Sequence, residues 1–250
     1  VIALLAEHDA VRATPPTAAE RPVGLPDAAM LADLGGGALA ETTARRLVAG
    51  YGVPAAREIV VATPRAAADA AATLGYPVVL KAVSHAIVHK TDVGAVRLGL
   101  ESPQAVEAAA QDMAARLGPL EGFVVQETVT GDAEVIVGAR RDPQFGPVVL
   151  VGLGGIAVEF LKDTALAPAP VSAVRARELV NSLAAAPLLR GARGRPPLDI
   201  EAITDTVVRV SWLAVDLGRR LVDLEVNPLI VRRAGAGAVA VDARGRLEES

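Results

Sequence analysis

The apolar and polar positions of this chain fall into blocks that switch between the helical and the strand period. Residues 42–49 read as a helix that stops at Gly50, with Gly52 and Pro54 beyond it. A short β-branched run over 57–62 reads as a strand. Thr63 then offers an N-cap and Pro64 the first helical position, and an Ala-rich helix follows as far as Gly75. Residues 77–83 and 94–100 read as two further strands. Ser102-Pro103 repeats the cap-plus-proline start, and that helix ends at Gly118. Beyond it, strands are predicted over 123–126, 133–139 and 147–151, helices over 172–186 and 199–218, and strands over 221–232 and 238–243. This alternation predicts an α/β protein of two lobes with a cleft between them.

The first 37 residues break every period. Thr14-Pro15-Pro16-Thr17, Arg21-Pro22 and Gly35-Gly36-Gly37 read as a tail or linker, with order expected to begin near Glu41. The expected division is therefore a linker over 1–37, a first lobe over 38–122 and a second over 123–248.

Composition narrows the function classes. At 52% hydrophobic and 22% charged, the 250 residues can bury a large core. A net charge of -4 and an aromatic content of 2% give no basis for binding nucleic acid. The absence of cysteine excludes disulfides, thiolate metal sites and a Cys nucleophile, and is compatible with a cytoplasmic location. The apolar run at Val1–Leu5 is cut short by Glu7, His8 and Asp9, so no membrane span is expected there. Lysine is scarce: of 25 Lys+Arg, only Lys81, Lys90 and Lys162 are lysines, and two of the three histidines, His85 and His89, lie between Lys81 and Lys90.

Five constellations could carry chemistry. Lys81 closes the apolar strand Pro77-Val78-Val79-Leu80, where its ammonium could either snorkel to solvent or neutralise a phosphate. The segment from Ser84 to Gly94 mixes hydroxyl, basic and imidazole groups. It could wrap phosphate oxygens, offer a nucleophilic His, or simply be a polar loop. Val124-Val125-Gln126-Glu127-Thr128-Val129, with Glu134 further on, could be a hinge whose backbone reads a base while an acid accepts ribose hydroxyls. Gly152-Leu153-Gly154-Gly155 follows a strand, as glycines do where backbone approaches an anion, but fits neither the dinucleotide nor the P-loop fingerprint. Period-2 alternation puts Asp223, Glu225 and Asn227 on one strand face, and Asp242 follows the apolar run 238–241; hard oxygens of this kind suit Mg²⁺.

Taken in order, YGVP (51–54), LGYPVVLK (74–81), HKTDVG (89–94), VQETV (125–129), EVIVGARRDPQFGP (134–147), GLGG (152–155), RGRPPLD (193–199), EVNPLIV (225–231) and VDAR (241–244) resemble the ATP-grasp domain of ADP-forming acetyl-CoA (acyl-CoA) synthetases, within the succinyl-CoA synthetase superfamily. The resemblance implies an ATP-grasp fold with the nucleotide between its lobes, and ATP/ADP and Mg²⁺ as ligands. It implies that Lys81 contacts the phosphates, that Gln126, Glu127 and Val129 form the adenine hinge, and that Glu134 binds the ribose. Asn227 and Asp242 match metal-holding positions. Glu225 either joins them or orients a phosphohistidine, and His89 matches a phosphoryl-relaying histidine. Arg45 or Arg46 falls near a first basic phosphate contact.

The chain departs from the family pattern at His85, where a proline is usual, and at Ala95, where a second glycine is usual. The implied partners are CoA-binding and ligase domains or an α-type subunit, which would handle acyl-CoA and the carboxylic acid. Two rival readings are an ATP-grasp carboxylate–amine ligase and an ATP-binding regulatory module of a CoA-dependent fusion.

Overall fold

The computed structural model describes residues 19–84, 94–154 and 163–249. They divide into two compact units: the smaller is Ala56–Val129, and the larger combines the residues before 56 with those from 130 onward.

The larger unit opens with a 3-10 turn at Ala28–Leu31, a two-residue strand β1 (Gly37–Ala38) and helix α1 (Glu41–Gly50). Next in the chain come the smaller unit's elements: β2 (Glu58–Val61), α2 (Pro64–Leu74), β3 (Val78–Val83), β4 (Val96–Leu100), α3 (Pro103–Leu117) and β5 (Gly122–Glu127). The larger unit resumes with β6 (Ala133–Asp142), β7 (Gly146–Leu153), β8 (Thr164–Pro168), α4 (Ala173–Ser182), the single turn α5 (Ala186–Leu189), α6 (Ile200–Leu217), β9 (Leu221–Val231), β10 (Ala238–Ala240) and β11 (Ala243–Leu247).

In the smaller unit the strands pair antiparallel in the order β2-β5-β3-β4. Both helices begin as the sequence predicts. Thr63 accepts a bond from the Ala66 N–H at 3.2 Å, Ser102 accepts one from the Ala105 N–H at 3.2 Å, and a proline follows each cap. α2 ends at Gly75, whose φ of +90° is open to glycine at little cost. One face of the sheet, with Val78, Leu80, Ala82, Phe123 and Val125, is buried against Ala67, Ala70 and Ala71 of α2 and Val106, Ala110 and Met113 of α3. Alternation along β3 and β5 then puts Val79, Lys81, Val124 and Gln126 on the opposite face.

The larger unit holds a sheet of seven strands among the described residues, in the order β1-β11-β9-β6-β7-β8, with β10 also on β9. Its core is organised by α6. Asp199 caps this helix by accepting from the Ala202 N–H at 3.1 Å and also receives the Gly237 N–H at 2.8 Å. Ile203, Val207, Val210, Ala214 and Leu217 recur every three or four residues and are buried together with Val135, Val137 and Val151 of the sheet. Each aliphatic side chain larger than Ala in that stripe contributes about 1.5–3 kcal/mol by leaving water. Among the described residues, no helix is long and apolar enough to cross a membrane.

The domain boundaries differ from those expected. The strand expected to open the second lobe, β5, lies between β2 and β3, hydrogen-bonded on both edges, so it belongs inside the smaller sheet. α1, expected in the first lobe, buries Ala44 and Val48 in the larger core. The described part of the expected linker, 19–37, is built into the larger unit. Leu31 is a core residue, β1 pairs with β11, and Arg220 donates to the carbonyls of Leu31, at 2.6 Å, and of Leu34. Other elements were unforeseen or split. β8 was not predicted. The helix predicted over 172–186 stops at Ser182. The last predicted strand is two, β10 and β11, either side of Val241-Asp242.

Candidate functional site

In the smaller unit the hydrogen-bond register sets Lys81 across from Val124 on one side and Val96 on the other, and Gln126 across from Val79 and Glu58. Lys81 is only 6% exposed and Gln126 fully buried, on the sheet face turned away from the two helices. This placement sets aside the snorkelling reading of Lys81, since its side chain is not carried out into solvent. A buried ammonium needs anionic or dipolar company, which a solvated one does not.

Ala95, the unusual residue of the loop, is fully buried in the helix-packed core. Its carbonyl accepts from the Ala82 N–H at 2.8 Å, extending the β3–β4 pairing. A methyl group there fills core volume. His85, His89 and Lys90 lie outside the described residues.

Glu127 is not disposed to read a base with its side chain. Its carboxylate takes the Arg57 backbone N–H at 2.9 Å and the Arg57 Nε–H at 2.7 Å. The Glu127 N–H donates back to the Arg57 carbonyl at 3.0 Å, and the Arg57 Nη2 reaches the Leu74 carbonyl at 3.0 Å. The Thr128 N–H is taken by the Pro77 carbonyl at 3.2 Å. The Val129 N–H makes no backbone bond among the described residues. Arg57 was not singled out from sequence; only the register of β2 against β5 brings it to Glu127.

In the larger unit, Glu134 lies exposed at the start of β6, opposite Ile230 of β9. Its carbonyl accepts the Gly154 N–H at 2.7 Å. A Cβ on Gly154 would lie 2.9 Å from the Glu134 carbonyl carbon and 3.0 Å from the Val135 nitrogen. Close backbone approach therefore accounts for this glycine of the 152–155 motif. Gly155 lies outside the described residues.

Asp223, Glu225 and Asn227 alternate with the buried Leu224 and Val226, as the period-2 reading requires. At Asn227 the ladder is interrupted on both edges of β9. β6 shifts register between Val135 and Val137, and β10 gives way to β11. The gap is bridged by the Asn227 N–H to the Asp242 carbonyl, 3.1 Å, and the Val241 N–H to the Pro228 carbonyl, 3.0 Å. Asn227 and Asp242, fifteen residues apart in sequence, are thereby neighbours. The Asn227 side-chain N–H₂ donates to Glu225 Oε1 at 3.0 Å, leaving its amide oxygen for a cation.

Arg45 sits behind this turn. It is 2% exposed and donates from Nη1 to the Val241 carbonyl at 3.0 Å, with Glu41 3.6 Å away. Burial pushes its pKa below the ordinary arginine value, while the charges of Glu41 and Asp242 oppose that shift. Nη1 of the Arg45 guanidinium is thus occupied by the carbonyl beside Asp242. Arg46, its neighbour, is exposed. Arg244, which sequence reading also passed over, holds both oxygens of Glu225 at 3.0 Å.

Among the described residues, no three His, Asp or Glu side chains are close enough to hold a metal between them. Asn227 and Asp242 carry one amide and one carboxylate side chain, and Mg²⁺ in nucleotide sites takes one or two protein oxygens while phosphates and water complete its shell.

An ATP-grasp domain family model matches residues 31–247. The β subunit of acetate–CoA ligase [ADP-forming] II from Pyrococcus furiosus is 38% identical over 213 residues, covering 83% of this chain and 90% of that subunit. Acetate–CoA ligase [ADP-forming] I from Archaeoglobus fulgidus is 40% identical over 194 residues, covering 76% of this chain but 28% of that longer protein. A solved acetyl-coenzyme A synthetase from Ca. Korarchaeum cryptofilum, in complex with coenzyme A and Mg-AMPPCP, superposes with a TM-score of 0.75 at 36% identity, over 84% of this chain and 92% of that one. The chain belongs to the ATP-grasp domain family, in the branch of ADP-forming acetate–CoA ligases whose separate β subunits it matches over most of their length.

Proposed function

We propose that this chain binds ADP or ATP with Mg²⁺ and performs the phosphoryl-transfer half of an ADP-forming acyl-CoA ligase reaction, in which acyl-CoA, ADP and phosphate give a carboxylic acid, ATP and CoA. The observation that carries the reading is the pairing of Asn227 with Asp242 across the interrupted ladder of β9. It makes neighbours along the backbone of two residues whose side chains carry hard oxygen donors.

In this reading the buried Lys81 ammonium neutralises phosphate charge and orients the transferring group, the 126–129 segment reads the base through the Val129 backbone, and Glu134 accepts ribose hydroxyls. Glu127 contributes by being tied to Arg57, which fixes the path of that segment. Asn227 and Asp242 would hold the ion, which when bound screens the negative charge shared between phosphates. Phosphoryl transfer asks mainly for such positioning and charge neutralisation.

His89 is the proposed relay. An oxygen of the ADP β-phosphate attacks the phosphorus of phosphohistidine, the N–P bond breaks, and its electron pair returns to the imidazole. Neutral imidazole is available for the next cycle near pH 7. The chain spans under a third of the fused relatives it matches, so the acyl and CoA chemistry is assigned to CoA-binding and ligase domains or an α-type subunit.

The test is incubation of the chain with Mg²⁺ and γ-labelled ATP, with and without such a partner. Acid-labile label on histidine, mapping to His89, and ATP formation from acyl-CoA, ADP and phosphate in the presence of the partner are expected. Nucleotide binding with no histidine label and no exchange would overturn the enzymatic reading in favour of a nucleotide-sensing module.

A further inference from the structure

The open face of β9 carries two carboxylates before Asn227, and each is met by an arginine from β11. Arg244 stands opposite Glu225 and Arg246 opposite Asp223 in the strand register. The Arg246 Nη2 is 2.9 Å from Asp223 Oδ2. The Arg244 Nη2 is 3.0 Å from each oxygen of Glu225, and Asn227 adds a third N–H at 3.0 Å to Oε1. Two residues before Arg244 the sign reverses, to Asp242. The carboxylates of β9 are thus neutralised pair by pair, and this arginine pairing stops at the position where Asn227 and Asp242 meet.

We propose that Arg244 is a positioning residue whose task is to keep Glu225 out of the cation's coordination shell. With three N–H bonds on its carboxylate, Glu225 can ligate an ion only by giving up Arg244. The site then offers a divalent cation one carboxylate and one amide oxygen, too few to retain it without the nucleotide's phosphates. The ion accordingly enters and leaves with the nucleotide, and Glu225 stays fixed throughout as a neighbour of the site. Arg244 itself is 77% exposed at its side chain, so replacing it disturbs little packing.

This inference rests on the metal role of Asn227 and Asp242 proposed above, and its test separates the two. Mn²⁺ binding to the whole chain is measured by electron paramagnetic resonance without nucleotide, and Mg·ADP binding by calorimetry. The wild-type chain is expected to bind Mg·ADP while binding Mn²⁺ alone only weakly. Arg244→Gln releases Glu225 and tightens nucleotide-free Mn²⁺ binding by about tenfold, the scale of one added interaction of about 1.4 kcal/mol. Glu225→Gln on top of Arg244→Gln removes that gain, and Arg244→Lys retains wild-type behaviour. Unchanged Mn²⁺ affinity in a folded Arg244→Gln protein that still binds Mg·ADP overturns the role of Arg244 alone. A wild-type chain that fails to bind Mg·ADP overturns the nucleotide reading and this inference with it.

Discussion

At the scale of single residues, charge in unusual company is what marks function in this protein. Lys81 is one of the three lysines of the chain, and the structure buries it on the sheet face opposite the helices. A charge-assisted contact is worth about 1.5–3 kcal/mol, so Lys81→Ala should weaken Mg·ADP binding by about 10–100-fold in calorimetry, with the fold intact by circular dichroism. Lys81→Arg should restore little, because a guanidinium fork cannot replace a compact ammonium in a buried position. Arg45 poses the opposite case, a buried cation that serves a neighbour. Arg45→Met keeps volume but removes a buried charge together with its bond to the Val241 carbonyl and its ion pair with Glu41, and should cost about 3 kcal/mol in denaturant unfolding. It should also weaken Mg·ADP binding by loosening the turn that carries Asp242. Lys81 could be picked out by its rarity and by the apolar run that precedes it, although it lies inside β3 rather than at its end. Arg45, Arg57 and Arg244 could not, because their partners lie 196, 70 and 19 residues away along the chain.

At the scale of elements, the stretch of 19–40 is the clearest departure from expectation. Its glycines and prolines read as a linker, yet Arg21 forms a paired bond to Asp216 on α6, at 3.0 and 2.7 Å, and its guanidinium lies 5.2 Å from the Trp212 ring centroid. Tyr51, at the end of α1, donates to the same carboxylate at 2.7 Å. Burial alone would raise the Asp216 pKa, but the hydrogen bonds from Arg21 and Tyr51 and the Arg21 charge outweigh it and hold the carboxyl below its usual range. A depressed folded pKa stabilises the protein above the unfolded carboxylate value of about 4 and loses that stabilisation as pH falls through the folded value. Arg21→Ala should therefore lower stability by about 1–2 kcal/mol at neutral pH, the range of a bidentate pair with a cation–π contact. The difference from wild type in urea titrations should shrink as Asp216 protonates. Helices were the most legible elements, since Thr63-Pro64 and Ser102-Pro103 state their starts locally. The short edge strand β8 has no comparable local signal and is ordered by pairing with β7.

At the scale of the whole molecule, ligand binding and stability are linked. If Mg·ADP binds only the folded chain, then at 100 times its Kd it should raise unfolding free energy by about 2.7 kcal/mol, and the thermal midpoint with it. Chelation with EDTA should abolish most of that shift, while leaving the ligand-free midpoint where it was; an EDTA-insensitive shift would count against the proposed ion. The amino-acid sequence alone determined the α/β class, most helix limits, the alternation along β9 and the order of the motifs, because each depends on interactions within a few residues: capping, proline placement and side-chain period. Tertiary structure decided the rest. It assigned β5 to the interior of the smaller sheet, drew 19–40 into the larger unit, set Asn227 beside Asp242 and placed an arginine over Glu225. These outcomes depend on strand register and burial between distant segments, and no local pattern encodes which strand a given edge will meet.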